Sequence, residues 1–213
     1  MESLFLALFS TQSPLLPAPL AFRLYLDLAW GLVLAALALP VLARWAPRHE
    51  RLTHGLPPLL LLWCLLPGAL SPAYWLGLAL RAPSGLLAGL CAWALLRHYR
   101  PQSAGPLPQQ ALRAWMGPLV LLGWVLLLDT FALLPFSLYA WGYAPWLLGV
   151  LAFAGLLPAL LRGGYALPAL WIAVLVLHLL LRLPTGNVWD AVLDPALWIW
   201  LQVDTLRRWR QRS

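Results

Sequence analysis

Residues 115–134 read WMGPLVLLGWVLLLDTFALL, a run of twenty in which Asp129 is the only charge and lies five places from the end. About twenty apolar residues are what an α-helix needs to cross a ~30 Å hydrocarbon layer. A charge at mid-bilayer costs roughly 2.5–3.5 kcal/mol on insertion scales, so it is expected to face the protein interior, a partner or a water-filled cavity. The run therefore reads as a membrane span that carries a candidate site.

Segments of the same kind recur along the chain. Leu20 to Ala43 forms a first span and ends in the basic, Pro-containing stretch Arg44 to Arg51. Leu56 to Leu96 is too long for one span and holds two breakers, Ser71-Pro72 and Pro83-Ser84-Gly85. Ser before Pro is a favoured helix start, and Pro-Ser-Gly is an equally good turn. Either breaker gives a hairpin of two spans, and the piece between them also suits a short interfacial helix. Trp115 to Leu134, Trp146 to Leu161, Tyr165 to Leu181 and Pro195 to Leu206 complete the set, the last with Asp194 as N-cap. The expected fold is all-α: residues 1–213 form a single transmembrane domain of about seven helices, with six as the alternative. Residues 1–19 read as an interfacial or re-entrant segment, 97–114 as a cytoplasmic linker, and 207–213 as a basic cytoplasmic tail.

Composition agrees. The chain is 62% hydrophobic and 10% charged, whereas a soluble domain is about half apolar and a quarter charged. The abundance of Leu, Ala, Pro, Arg and Trp suggests a GC-rich bacterial genome. The net charge of +7 comes from arginine alone, because no lysine occurs. Eleven of the fourteen arginines lie in segments that alternate spans place on one side; the exceptions are Arg23, Arg81 and Arg182. The positive-inside rule puts the eleven in the cytoplasm, with the N-terminus out and the C-terminus in. Topology thus accounts for the basic charge, and no nucleic-acid partner is expected. The expected location is a bacterial inner membrane. Trp45, Trp115 and Trp209 on the inside, and Trp141, Trp146 and Trp189 outside, suit interfacial belts. The short N-terminal apolar stretch lacks a basic start and a small-residue cleavage motif, so no cleaved signal peptide is expected.

With that orientation the polar residues sort by depth. Asp27, Arg81, Asp129, His178 and Arg182 fall in the outer half of the membrane, and Asn187, Asp190 and Asp194 in the outer loop. The charges nearly balance, and paired charges lower the cost of burial. Arg23 and Asp27 are four apart and are expected to form a structural charge pair. His178 and Arg182 are also four apart and stack on one helix face, and Asp190 and Asp194 align likewise if their stretch is helical. Asn187 or Thr185 is the expected cap of that stretch. Asp129 and His178 are the catalytic candidates, Asp129 as base or cation stabiliser and His178 as acid–base. Arg81, Arg182, Asp190 and Asp194 are the candidates for binding a substrate or partner.

Several classes are excluded. Retinal needs a Schiff-base lysine. A transmembrane bis-histidine haem needs two ligands at one depth, and only His178 lies deep in a span. Cys64 and Cys91 stand alone in apolar runs, and His49, His54 and His98 lack further zinc ligands. No phosphate-binding Gly-Lys loop occurs. The Pro-Gln pairs at 101–102 and 108–109 lie in the polar linker, whereas PQ-loop transporters carry theirs within a helix. No cofactor is expected. The leading expectation is a non-catalytic subunit or assembly factor, with membrane lipid and another membrane protein subunit as partners. The alternatives are a small enzyme acting on a lipid-linked or isoprenoid substrate and a proton-coupled small transporter.

Overall fold

A computed structural model describes residues 15–46, 48–102, 109–162 and 165–210. Among them every regular element is a helix: α1 (Pro19–Trp45), α2 (Glu50–Cys64), a 3-10 turn (Gly68–Leu70), α3 (Pro72–Leu80), α4 (Gly85–Tyr99), α5 (Gln109–Thr130), α6 (Leu138–Trp141), α7 (Pro145–Arg162), α8 (Ala166–Leu181), α9 (Val188–Val192) and α10 (Pro195–Arg210). α1 is long and apolar enough to cross a membrane, and only 28% of its apolar window is buried within the chain. A soluble core helix would bury most of that surface. Ala114–Thr130, Pro145–Leu157 and Ala166–Leu181 are shorter apolar stretches.

Local chemistry sets the helix starts. Proline occupies the first turn of α1 and of α3, where its missing N–H costs nothing. Ser71 Oγ accepts from Ala73 N at 3.1 Å and donates to Cys64 O at 2.7 Å, which ties the start of α3 to the end of α2. Ser84 Oγ accepts from Leu87 N at 3.1 Å and caps α4. Both breakers are thus used, and the piece between them is the nine-residue helix α3. Of the linker expected over 97–114, residues 103–108 lie outside the described residues. α4 runs through Tyr99 and α5 starts at Gln109, since the flanking residues have ordinary helix propensity. Residues 1–14 of the expected interfacial segment, and the last three of the basic tail, lie outside the described residues.

α1 packs along α2 and α4, and α4 in turn meets α8 and α9. Gly31 allows close approach: a side chain there would press within 3.3 Å of Leu61 Cα on α2. His54 near the start of α2 meets His98 near the end of α4, with ring nitrogens 3.1 Å apart, so the two helices are antiparallel. On the other side α7 packs on α8 and α10 on α5. The largest core cluster joins α4, α5, α7, α8 and α10 around α9, whose Val188, Trp189, Ala191 and Val192 are all buried. α9 is therefore a plug between the helix ends.

Indole N–H groups act as staples between elements. Trp30 donates to Arg81 O (2.9 Å), Trp171 to Leu151 O (2.8 Å), Trp198 to Val120 O (3.1 Å) and Trp189 to Leu138 O (2.9 Å). This revises the belt reading for Trp189, which is buried, and for Trp115, which packs 4.2 Å from the Trp171 ring centroid. Trp45, Trp141 and Trp209 are exposed, as interfacial residues would be.

Candidate functional site

The loops and helix ends around α9 enclose an open cavity of about 600 Å³. Arg81, at the end of α3, lines it together with Asp129 near the end of α5, Tyr139 on α6, Thr185 in the α8–α9 loop, Asp190 on α9 and Asp194 before α10. Four of the six residues singled out for catalysis or binding thus come together, from four elements spread over more than a hundred positions of sequence.

Each carboxylate is held by donors. Asp194 is 9% exposed, and its two oxygens do different work. Oδ1 accepts from Leu197 N at 2.8 Å, which caps α10; Oδ2 accepts from Ser84 N at 2.6 Å, at the start of α4. Each helix N-terminus carries about half a positive charge, so two of them compensate this buried carboxylate. Asp129 Oδ2 accepts from Tyr139 N at 2.6 Å and from Ser137 Oγ at 3.3 Å, and so fastens α6 to the end of α5. Asp190 Oδ2 accepts from the Tyr139 hydroxyl at 2.8 Å and from Thr185 Oγ1. No described residue engages Oδ1 of Asp129 or of Asp190.

Tyr139 therefore bridges two of the carboxylates, its backbone to Asp129 and its hydroxyl to Asp190. Burial, then the neighbouring Asp190 charge and its hydrogen bond, hold the phenol well above its ordinary range. It stays a donor. Sequence reasoning missed Tyr139, because a tyrosine in a Pro-Phe-Ser-Leu loop carries no signal that its hydroxyl will meet a residue 51 positions away.

α6 and α9 are clamped by further bonds. Asn187 Oδ1 accepts from Trp189 N at 2.9 Å, capping α9 as its position suggested, and Asn187 Nδ2 donates to Tyr139 O at 2.9 Å. Val188 N donates to Gly142 O at 3.0 Å. Gly142 must be glycine here, because a Cβ would collide with Asn187 Oδ1 and with the Trp189 ring. Asp190 and Asp194 do not share a helix: α9 ends at Val192, and Leu193 is extended. They reach the cavity from separate elements.

The remaining candidates lie elsewhere. His178 is buried at 1% exposure, and its Nδ1 is 2.8 Å from Leu183 O. A carbonyl only accepts, so Nδ1 carries the hydrogen. His178 thus ties the last turn of α8 to the following loop and does not line the cavity. Arg182 does not continue the helix. It is the left-handed cap of α8 (φ 57°), and Pro184 two residues later keeps the helix from continuing. Among the described residues Arg23 and Asp27 make no direct ion pair, although their charges are close enough to interact. The base precedes the acid, the weaker order against the helix dipole. Asp204 and Arg208 have the favourable order and meet at 2.6 Å.

Arg81 adopts a positive φ of 63°, and its carbonyl accepts from Trp30. Its side chain is exposed to the cavity and makes no ion pair with the three carboxylates that share it. Among the described residues no group of three or more His, Cys, Asp or Glu is placed to hold a metal ion. No protein-family model matches the chain, and no curated protein or solved structure is significantly similar to it.

Proposed function

We propose that this chain is a multi-pass protein of a bacterial inner membrane, a non-catalytic subunit or assembly factor whose polar cavity opens at the outer face. In this reading α1, α2, α4, α5, α7, α8 and α10 are the seven spans, with the N-terminus out and the C-terminus in.

The observation that carries the non-catalytic reading is how the polar groups are used. Asp129, Asp190 and Asp194 each hold backbone or hydroxyl donors from other segments. His178, the group best suited to proton transfer near neutral pH, is bonded to Leu183 away from the cavity. A base and acid poised on a shared substrate would need both in one place.

Two features favour the membrane. Large apolar side chains such as Leu20, Leu24, Leu37, Leu121, Phe153 and Leu180 are exposed along α1, α5, α7 and α8, a surface that water would penalise. Connectivity also puts the start of α4, the end of α5, the end of α8 and the start of α10 at the cavity. The arginine-bearing ends, with Arg97, Arg100, Arg207, Arg208 and Arg210, lie at the opposite ends of α4 and α10. That separation is what the positive-inside rule asks for. α2, α4, α8 and α10 have 15–16 residues each, or about 22–24 Å at 1.5 Å per residue. Spans this short against a ~30 Å layer are relieved by association with other helices or by local thinning, which suits a protein that works beside a partner.

Two experiments test the proposal. Cysteine accessibility in inverted and right-side-out vesicles should label Thr130→Cys from outside, and Arg100→Cys and Arg207→Cys from inside. A C-terminus outside would instead support six spans, with α10 in the interface. Native mass spectrometry of the tagged chain, extracted from its own host in mild detergent, should show a stoichiometric membrane-protein partner. A bare monomer with turnover of a lipid-linked substrate would sink the subunit reading.

A further inference from the structure

The cavity at the outer end holds charges of both signs that do not meet. Arg81 lines it from α3 with an uncommitted guanidinium, while Asp129 and Asp190 line it from α5 and α9, each with one oxygen unengaged among the described residues. Opposite charges in one cavity attract, and long side chains normally close such gaps. Here the carboxylates are fixed by Tyr139, Ser137 and Thr185, and Arg81 is set by a backbone that the Trp30 indole holds at 2.9 Å. The gap is therefore built in, and a volume of about 600 Å³ falls within the roughly 300–1,000 Å³ of small-ligand sites.

The ligand that fits is dipolar. Its anionic group would meet Arg81, since a guanidinium matches phosphate oxygens in pairs. Its cationic group would meet Asp129 and Asp190. Asp194 does not compete for the cation, because both of its oxygens are bonded at helix N-termini. Leu80 and Leu193 add apolar surface to the lining, and Leu78, Leu80, Phe131 and Leu133 are exposed near the ends of α3 and α5. Acyl chains could lie there while the headgroup enters.

We infer that this cavity binds the zwitterionic phosphoethanolamine headgroup of a membrane lipid, with phosphate on Arg81 and ammonium between Asp129 and Asp190. The inference rests on the membrane reading above and names the lipid class that the proposed subunit holds.

The test titrates the purified full chain, stripped of lipid in mild detergent, with three probes. Dihexanoyl phosphatidylethanolamine carries the full headgroup. Dihexanoyl phosphatidylglycerol keeps the phosphate and lacks the ammonium. Glycerophosphoethanolamine keeps the headgroup and lacks the tails. The ethanolamine lipid is expected to bind at least tenfold more tightly than the glycerol lipid, and Arg81→Gln and Asp190→Asn should each weaken it at least tenfold. Arg81→Gln is the safer variant, because the guanidinium it removes makes no ion pair with a described residue; should Asp190→Asn misfold, Arg81→Gln decides alone. Equal binding of the two lipids, or ethanolamine-lipid binding that survives Arg81→Gln, overturns the assignment. Tail-free probe binding as tightly as the lipid supports the dipolar chemistry and overturns the lipid source. A chain that inserts as described yet shows no headgroup preference sinks this inference alone; a chain that does not insert sinks both.

Discussion

Removing the Asp194 carboxylate should loosen two helices at once. In Asp194→Ala, α10 loses its N-cap, which is worth about 1 kcal/mol. Ser84 N–H at the start of α4 loses the acceptor it now has at 2.6 Å, and a buried donor left unsatisfied costs about 1–3 kcal/mol. The sum is roughly 2–4 kcal/mol, and for a chain of this size each kcal/mol moves the melting temperature by about 2–4 °C. The expected drop is therefore roughly 4–16 °C. Intrinsic tryptophan fluorescence in detergent is a suitable readout, since Trp30, Trp171 and Trp189 are buried. Asp194→Asn should fall between wild type and Asp194→Ala. It keeps one acceptor oxygen for two donors and turns its amide N–H toward the other. Asp194→Ala melting within about 2 °C of wild type would refute the idea that this carboxylate joins α4 to α10.

Gly142→Ala should cost about 1–3 kcal/mol by overpacking, because the new methyl meets Asn187 and Trp189; protease resistance of the 130–145 segment would report it. Asp129→Ala should lower accumulation of the protein in membranes, while Asp129→Asn, which keeps an oxygen for Tyr139 N–H, should accumulate nearly normally; equal loss in both would mean that the charge itself is what matters. Tyr139→Phe should cost about 1 kcal/mol at neutral pH for the lost bond to Asp190. The folded chain favours the protonated phenol, so its contribution is present below the unfolded value of about 10 and fades as pH rises above it. With no lysine in the chain, alkaline unfolding should be visibly milder in Tyr139→Phe than in wild type. An identical alkaline profile would remove Tyr139 from that account.

Helix placement was readable because it depends on neighbours in sequence. The first helix was expected over 20–43 and spans Pro19–Trp45; the last was expected to begin at Pro195 behind an Asp194 cap or nearer Val188, and begins at Pro195. Ser71-Pro72 and Pro83-Ser84-Gly85 each end or start a helix, though the sequence could not show that both would act. The expected depth grouped Arg81, Asp129, Asp190 and Asp194 with Asp27, His178, Arg182 and Asn187, and the first four line one cavity. Depth failed where direction mattered. His178 lies in the last turn of α8, but its ring nitrogen bonds Leu183 O. Arg182 caps the helix in a left-handed conformation. Arg23 and Asp27 have pairing distance in sequence but not the favourable order. Ser84, Tyr139 and Thr185 entered the site through backbone and hydroxyl bonds, for which hydrophobic periodicity gives no signal.

The Ser84–Asp194 bond spans 110 residues, and that fixes a moment in the life of each new chain. At about 5–20 residues per second, roughly 6–22 s separate the synthesis of its two ends. By the time Asp194 is made, the first four helices have been synthesised, and the start of α4 has waited without the Asp194 carboxylate. Synthesis of the last loop thus completes a contact that the first half of the chain has been waiting for. A chain cut short before residue 194 would leave the start of α4 without this acceptor, 110 residues upstream in sequence.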